Sequence, residues 1–544
     1  MSRKTFSLLL FLCVLLTPAG VLAQPAGDFL RQLQLSCIDS GQVVFGHWGD
    51  RPDKYSSWTN HSNRLIPVYT WGLSLDGIQG ENSIYRDEAR LTRLYKAPPK
   101  LTLNQGAEYF DQTQIYELQK QLLSNKKHVF LLIFDGMDWD TTRAAAAYRS
   151  KQTYQAGRGS GLHFLDYRRQ HSDYGFMVSS PLNGDTKCDV NAQVVSQAGS
   201  TGGGGYNFQL GGSTPWSKPG SLSYLIRRVR AAKHWWTDSA ASATSMMSGI
   251  KTYNGAVNVD GVGNQVTPIA REFQQAGYAV GIVSSVAVSH ATPACAYANN
   301  VSRNDYQDIT RDMLGLVSSS HKFKPLPGLD VVLGAGWGET RDDERSRQGD
   351  NYVPGNKYLT AADRSAIDVV HGGRYVVVQR RKGRKGQEML REAAGRAADG
   401  GHRLCGLFGV RGGHLPYRTA DGSYDPTRGA KGAEIYTPED VKENPTLADL
   451  TAAAIHVLSH KSAKGFWLMV EPGDVDWANH DNNIDNAIGA VLSGDEAFRV
   501  VVEWVESNSN WNDAAVILTA DHGHLLVLKD LKYLTGEKRI AASP

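Results

Sequence analysis

Five continuous apolar runs punctuate the chain: "HVFLLIFD" (128–135), "GYAVGIVSS" (277–285), "GLDVVLGAG" (328–336), "GFWLMVE" (465–471) and "AAVILTAD" (514–521). None shows the in-out alternation of a half-exposed strand, so each reads as a strand buried on both faces. Between them the apolar positions recur with helical spacing, as in "TPIAREFQQA" (267–276) and "NAIGAVLSGDEAFRVVVEWVES" (486–507). Strands of this kind alternating with helices predict an α/β protein with a central, largely parallel sheet covered on both faces, a three-layer α/β/α sandwich. Two stretches break the alternation. Residues 24–120, rich in Trp, Tyr, Asn and Ser, read as an N-terminal extension with little helix. An insertion near 150–230 contains "TGGGGYNFQLGGSTPW" (201–216), which reads as a long loop or lid; its four glycines suit either a flexible linker or a phosphate cradle. The intervening pattern assigns 121–544 to one α/β domain, and no internal repeat is visible.

Composition changes this picture little: 41% hydrophobic and 21% charged residues are ordinary for a globular chain, and a formal charge of +3 gives no reason to require nucleic acid. The basic cluster "QRRKGRKGQ", around Gly383, reads as a solvated surface turn. The N-terminus adds more. Arg3 and Lys4 precede an apolar core from Phe6 to Leu16, then Pro18, Gly20 and a small-residue cleavage point after Ala23, the pattern of an export signal over residues 1–23. That core is shorter than the ~20 residues of a comfortable span, and the expected location is periplasmic or extracellular. Beyond it, Cys37, Cys188, Cys295 and Cys405 are widely spaced, which excludes a zinc ribbon or CxxC redox site without settling any pairing.

The chemistry gathers at strand ends. Asp135, Glu471 and Asp521 each close an apolar run, and in an open parallel sheet ligands collect beyond the carboxyl ends of the strands. A single such acid is often a helix cap; three brought together repel unless cations hold them. Asp476 and His480, four apart, share one helix face, and His522 adds a nitrogen beside Asp521. Mixed Asp and His suits Zn²⁺, and an oxygen set suits Mg²⁺. Asp238 and Ser239 in "HWWTDSAASATSMMSGIKT" lack the G-x-S-x-G frame, because Thr237 and Ala241 stand at its glycine positions. Ser239 opening a helix of small residues is either an ordinary cap or, beside metals, a nucleophile facing an anion.

These segments resemble the alkaline phosphatases, in that family's order: "LLIFDGM", "TDSAASATSMMSGIKTYNGAV", "SHATPACAYANNVSR", "VEPGDVDWANH" and "TADHGH", spanning roughly 125–525. The resemblance implies hydrolysis of phosphate monoesters by double in-line displacement, through a phosphoserine on Ser239. It implies a clamp on phosphate by Arg303, oriented by Asp238; one Zn²⁺ held by Asp135, Asp521 and His522; a second Zn²⁺, serving water activation, held by Asp476 and His480; and Mg²⁺ held by Asp135, Thr292 and Glu471. His524 matches a position that hydrogen-bonds toward Asp476, while His290 and Trp477 match variable positions that tune metal choice and phosphate release. Phosphorylated small molecules as substrates, inorganic phosphate as product and a homodimer follow from the same resemblance.

One departure matters. The family's second zinc takes a further His from a segment downstream of "TADH", and here His524 is the last histidine. The second zinc then has two protein ligands where three are usual, so either the chain is truncated relative to a working relative, or another group substitutes, or that zinc binds weakly. This admits a catalytically impaired metal- or phosphate-binding homologue beside the phosphomonoesterase. A phosphodiesterase or sulfatase of the same superfamily fits less well, since "DSAAS" lacks the sulfatase pattern and Arg303 is a monoester feature.

Overall fold

Ten strands form one sheet in the computed structural model, which describes residues 28–48, 55 and 61–539 apart from 99, 170, 183, 200–203, 219, 221–235, 342–344, 426 and 430–431. In spatial order they are β10 (Tyr375–Gln379), β11 (Arg403–Phe408), β9 (Val331–Ala335), β8 (Ala279–Ala287), β12 (Phe466–Glu471), β4 (His128–Ile133), β13 (Ala514–Thr519), β2 (Ile66–Trp71), β5 (Ser172–Val178) and β3 (Phe110–Asp111). Two small antiparallel pairs complete the strands, β1 (Gly46–Trp48) with β14 (Leu526–Leu528), and β6 (Lys187–Asp189) with β7 (Val194–Gln197). From β10 to β13 every neighbouring pair is parallel, as the unbroken apolar runs predict. Only β2 is reversed within the large sheet: it lies antiparallel to both β13 and β5.

Consecutive residues of β12 show why its run is continuous. Phe466 packs against Trp504 of the helix Ile484–Asn508, with ring centroids 5.3 Å apart. Its neighbour Trp467 points to the other side and donates from Nε1 to Gln119 Oε1 of the helix Gln114–Leu122, at 3.0 Å. A helix therefore covers each face, and no position of the strand can be polar by default.

The segment read as an extension with little helix is different in the structure. Residues 24–120 contribute β2 and β3 to the main sheet and carry the helices Phe29–Ser40 and Glu88–Tyr95. Leu30, Leu33 and Cys37, at helical spacing, turn their side chains into the core. Polar residues between them obscured that period, but they too are engaged: Arg31 bonds Asp485, Asp421 and Asp425, and Gln34 donates to Asn483. Pro67 hides β2 in the same way, because proline argues against an interior strand. The ladder with β13 stops at Val68, so Pro67 meets no partner on that side, and its carbonyl accepts from Thr519 Oγ1 at 2.9 Å.

Residues of roughly 183–220, expected as one long Gly-rich loop or lid, hold the β6–β7 hairpin and a one-turn helix, Phe208–Gly211; residues 201–203 of the glycine run lie outside the described residues. So do residues 1–23, and among the described residues no helix is long and apolar enough to cross a membrane. The basic turn is exposed at Arg381, Lys382, Arg384 and Lys385, while Arg380 pairs with Asp440 and Glu443. Cys37, Cys188, Cys295 and Cys405 are all free thiols.

At the far edge, β3 is anchored by a completely buried ion pair, Lys251 Nζ to Asp111 Oδ1 at 3.0 Å. Asp111 also accepts from the hydroxyls of Tyr85, Tyr95 and Thr113. Lys251→Met strands that carboxylate in the interior and lowers unfolding free energy by about 3 kcal/mol, measurable by urea denaturation.

Candidate active site

The carboxyl edge of the sheet collects the chemistry. Glu471 is the last residue of β12, Asp135 follows β4 by two residues and Asp521 follows β13 by two. All three are fully buried. The turn after Asp135 needs glycine: Gly136 has φ +73°, and a Cβ there would sit 2.8 Å from the His524 ring and 3.2 Å from Asp476 Cα. Its backbone is used on both sides, the N–H donating to Asp521 Oδ1 at 2.9 Å and the carbonyl accepting from Asn479 at 2.9 Å. The turn thus ties three of the sequence motifs together.

Ser239 begins the helix Ser239–Ser248, whose ten residues are all buried. Its hydroxyls are all placed: Ser242 Oγ donates to the Asp521 carbonyl, Ser245 to Ala241 O at 3.0 Å and Ser248 to Asn258 Oδ1 at 2.8 Å. Small side chains let the helix lie close to Ala291–Cys295, where Cys295 Sγ reaches Ala240 O at 3.4 Å. Asp238 does two jobs. One oxygen caps the helix by accepting from Ala241 N–H at 2.9 Å, and the other receives Arg303 at 2.9 Å. Burial opposes the Arg303 charge, but Asp238, with Tyr306 and Asp135, more than offsets it, so the guanidinium stays cationic beside the helix tip.

Around Ser239 Oγ stand Asp135 Oδ1 at 3.3 Å and His522 Nε2 at 3.2 Å, and these two lie 3.3 Å from each other. His522 Nε2 is 3.6 Å from Asp521 Oδ2. On the other side, Asp135, Glu471 and His290 bring ligand atoms to within 4.8 Å of one another. Thr292 is buried, and its hydroxyl lies near enough to Glu471 to stabilise the carboxylate, though outside strict hydrogen-bond geometry. Trp477 packs edge-on to His290, with centroids 5.5 Å apart, and His290 Nε2 lies 3.3 Å from Arg303.

The third group adds a residue that the sequence reading did not name. Asp476 and His480 come together, Oδ1 to Nε2 3.4 Å, and a third nitrogen joins them: His61, from the segment before β2. Its Nε2 is 3.2 Å from His480 Nε2 and 3.7 Å from Asp476 Oδ1, and its ring stacks on His522 at 3.6 Å. An imidazole nitrogen thus stands beside Asp476 and His480 from the N-terminal side, where a substituting group was one of the expected alternatives. The reversal of β2 explains how. A strand running against its neighbours begins where they end, so residues just before Ile66 lie at the carboxyl edge. The chain is pinned there by Ser62 N–H on the Gly523 carbonyl, at 2.6 Å. His61 Nδ1 faces the Thr237 carbonyl at 2.8 Å, which selects the tautomer protonated at Nδ1 and leaves the Nε2 lone pair toward Asp476 and His480. His524, by contrast, spends Nε2 on Asp476 Oδ1 at 2.6 Å and so orients the carboxylate. No local spacing in the sequence singled His61 out: it is a lone histidine five residues ahead of the apolar run "IPVYTW".

The donor set fits metal ions. Asp135 Oδ2, Asp521 Oδ2 and Glu471 Oε1 are buried with no hydrogen-bond partner, which is costly for carboxylates. Burial, then the charges of Asp476 and Glu471, push the Asp135 carboxyl well up; burial and Asp135 do the same to Asp521. Burial lifts Glu471 to about 8 against the opposing Ser284 hydroxyl. Burial also opposes ionisation of Asp476, but His480, His524 and His522 together hold it well below the usual carboxylate range. Burial, aided by its imidazole neighbours, keeps His61 neutral and its lone pair available. Two nitrogens on one tetrahedral zinc stand about 3.3 Å apart, given Zn–N near 2.05 Å, close to the separation of His61 and His480.

The alkaline phosphatase family profile matches residues 225–542; Asp135 and His61 reach the site from outside that span. Alkaline phosphatase 4 of Bacillus subtilis (strain 168) is 30% identical over 286 residues, covering 53% of this chain and 49% of that protein. Alkaline phosphatase of Escherichia coli (strain K12) is 31% identical over 313 residues, covering 55% and 61%. The crystal structure of Thermus thermophilus alkaline phosphatase aligns with a TM-score of 0.43 at 23% identity, covering 74% of this chain and 60% of that one. The chain thus spans about half to three fifths of the length of the curated relatives it matches.

Proposed function

The chain belongs to the alkaline phosphatase family, and on that premise we propose that it hydrolyses phosphate monoesters through a phosphoserine at Ser239. The observation that carries the reading is the convergence on Ser239 Oγ of Asp135 and His522, beside a guanidinium already fixed by Asp238. Asp135, Asp521 and His522 would hold one zinc ion; His61, Asp476 and His480 a second; and Asp135, Thr292 and Glu471 a magnesium ion. Bound there, the ions supply Lewis-acid charge that lowers the pKa of the Ser239 hydroxyl and neutralises phosphoryl oxygens.

The remaining work falls to the chain itself. Arg303 binds two phosphoryl oxygens through its planar fork and aligns phosphorus with Ser239 Oγ. The N-terminus of the serine helix directs its free N–H groups and dipole at the incoming dianion. Ser239 Oγ displaces the alcohol, and water then displaces Ser239 from the opposite side of phosphorus, releasing inorganic phosphate. His61, standing where a third ligand would be wanted, favours this reading over a binding-only homologue. Export belongs to the same reading and rests on the pattern of residues 1–23.

The test is hydrolysis of p-nitrophenyl phosphate at alkaline pH by the zinc- and magnesium-loaded chain, with loss on chelation. A folded, metal-loaded sample without turnover overturns the reading. Arg303→Ala is expected to weaken product inhibition by inorganic phosphate by about tenfold to a hundredfold, since a charge-assisted bidentate contact is lost. An unchanged inhibition constant removes Arg303 from the phosphate clamp.

A further inference from the structure

A pocket of about 430 Å³ opens beside Ser239 and Arg303, and its other lining residues have a distinct character. Among the described residues lining it, Arg303 supplies the only guanidinium or ammonium group, and on the proposed reading that group is committed to phosphate. Away from the metal ligands the lining includes Glu434, Asp481, Tyr417 and Trp477. Two aromatic rings and the Glu434 carboxylate thus face the part of the substrate that is not phosphate.

The aromatic wall is fixed in advance. Tyr417 stacks on His414 at 4.0 Å with an interplanar angle of 18°, and His414 meets Trp477 edge-on at 5.6 Å. Trp477 is braced again by His290. Glu434 has a side chain 52% exposed, and its nearest basic atom is His414 Nε2 at 3.9 Å. That imidazole does not neutralise it. His414 Nδ1 faces the Leu415 carbonyl at 2.7 Å and holds the ring proton, and burial lowers its pKa to about 4. Burial pushes the Glu434 carboxyl up and Arg341 opposes this, but among the described residues Arg341 is itself clamped by Glu339 at 2.7 and 2.9 Å.

Resting on the phosphomonoesterase reading, we propose that this pocket selects phosphate esters whose alcohol carries a compact organic cation, with Glu434 as the anionic contact and Tyr417 and Trp477 as the aromatic faces. An ammonium with an apolar periphery gains both from ring quadrupoles and from the carboxylate. An alcohol bearing a carboxylate meets repulsion in the same place.

The experiment compares kcat/KM for choline phosphate, glycerol 1-phosphate, 2-phosphoglycerate and p-nitrophenyl phosphate, in the metal-loaded chain and in Glu434→Gln. Choline phosphate is expected to exceed glycerol 1-phosphate by about tenfold, with 2-phosphoglycerate lowest. Glu434→Gln, a change at an exposed side chain, is expected to compress the choline-to-glycerol ratio by about fivefold. Turnover of p-nitrophenyl phosphate with equal ratios among the other three, or a ratio that Glu434→Gln leaves intact, overturns the cation subsite alone. Failure to turn over any of the four overturns the hydrolase reading and the subsite together.

Discussion

Ser239→Ala is expected to lower kcat for p-nitrophenyl phosphate by at least about three orders of magnitude, because among the described residues no other hydroxyl stands between Asp135 and His522 to replace it. The fold should tolerate the change well. Ser239 is 2% exposed at the first position of a helix, alanine favours that conformation, and the cap comes from Asp238. Phosphate affinity should persist, since Arg303 keeps its partner. The decisive readout is covalent: incubation of the unaltered chain with substrate at mildly acidic pH should leave an acid-stable phosphate on Ser239, detectable by mass spectrometry, and the variant should carry none. Turnover within tenfold of the unaltered chain would mean that water attacks the ester directly.

Most of this site was legible because its residues lie in short motifs at the ends of strongly apolar strands. Asp135, Glu471 and Asp521 follow β4, β12 and β13, and the sheet's parallel order brings those ends to one edge. Asp238 and Ser239 were legible for another reason: a helix of nothing but small residues is an unusual use of sequence and invites the question of what it approaches. His61 escaped because nothing local marks it. It precedes a strand that contains Pro67 and runs against the rest of the sheet, and neither an interior proline nor a reversal can be read from periodicity alone. The helix Phe29–Ser40 was missed for a related reason. Arg31 and Gln34 look like solvent-facing residues, yet both are buried against acids and amides more than 380 residues further along the chain. Local pattern reports how a segment folds; long-range polar pairing, which fixes where it docks, leaves no periodic trace.

His61→Ala should separate metal loading from nucleophile chemistry. Zinc per chain, measured by mass spectrometry after extensive dialysis, is expected to fall from two to one, with activity down by about a hundredfold or more. Ser239→Ala, in contrast, should retain both ions. Loss of structure is not expected to confuse the result. The backbone at this point is held by Ser62 on Gly523 and by β2 between β13 and β5, none of which depends on the imidazole. His61→Cys supplies a different zinc ligand at the same place and should recover the second ion at least in part, whereas His61→Gln should not. A chain that keeps two zinc ions after His61→Ala would assign the position to another donor, with His524 the nearest candidate once released from Asp476. Because β2 enters the sheet from the carboxyl edge, a residue just before it occupies the same space as one just after a parallel strand. Ligand position is set by strand direction rather than by order along the chain, and a site that wants a third histidine can draw it from either side of the metal motifs.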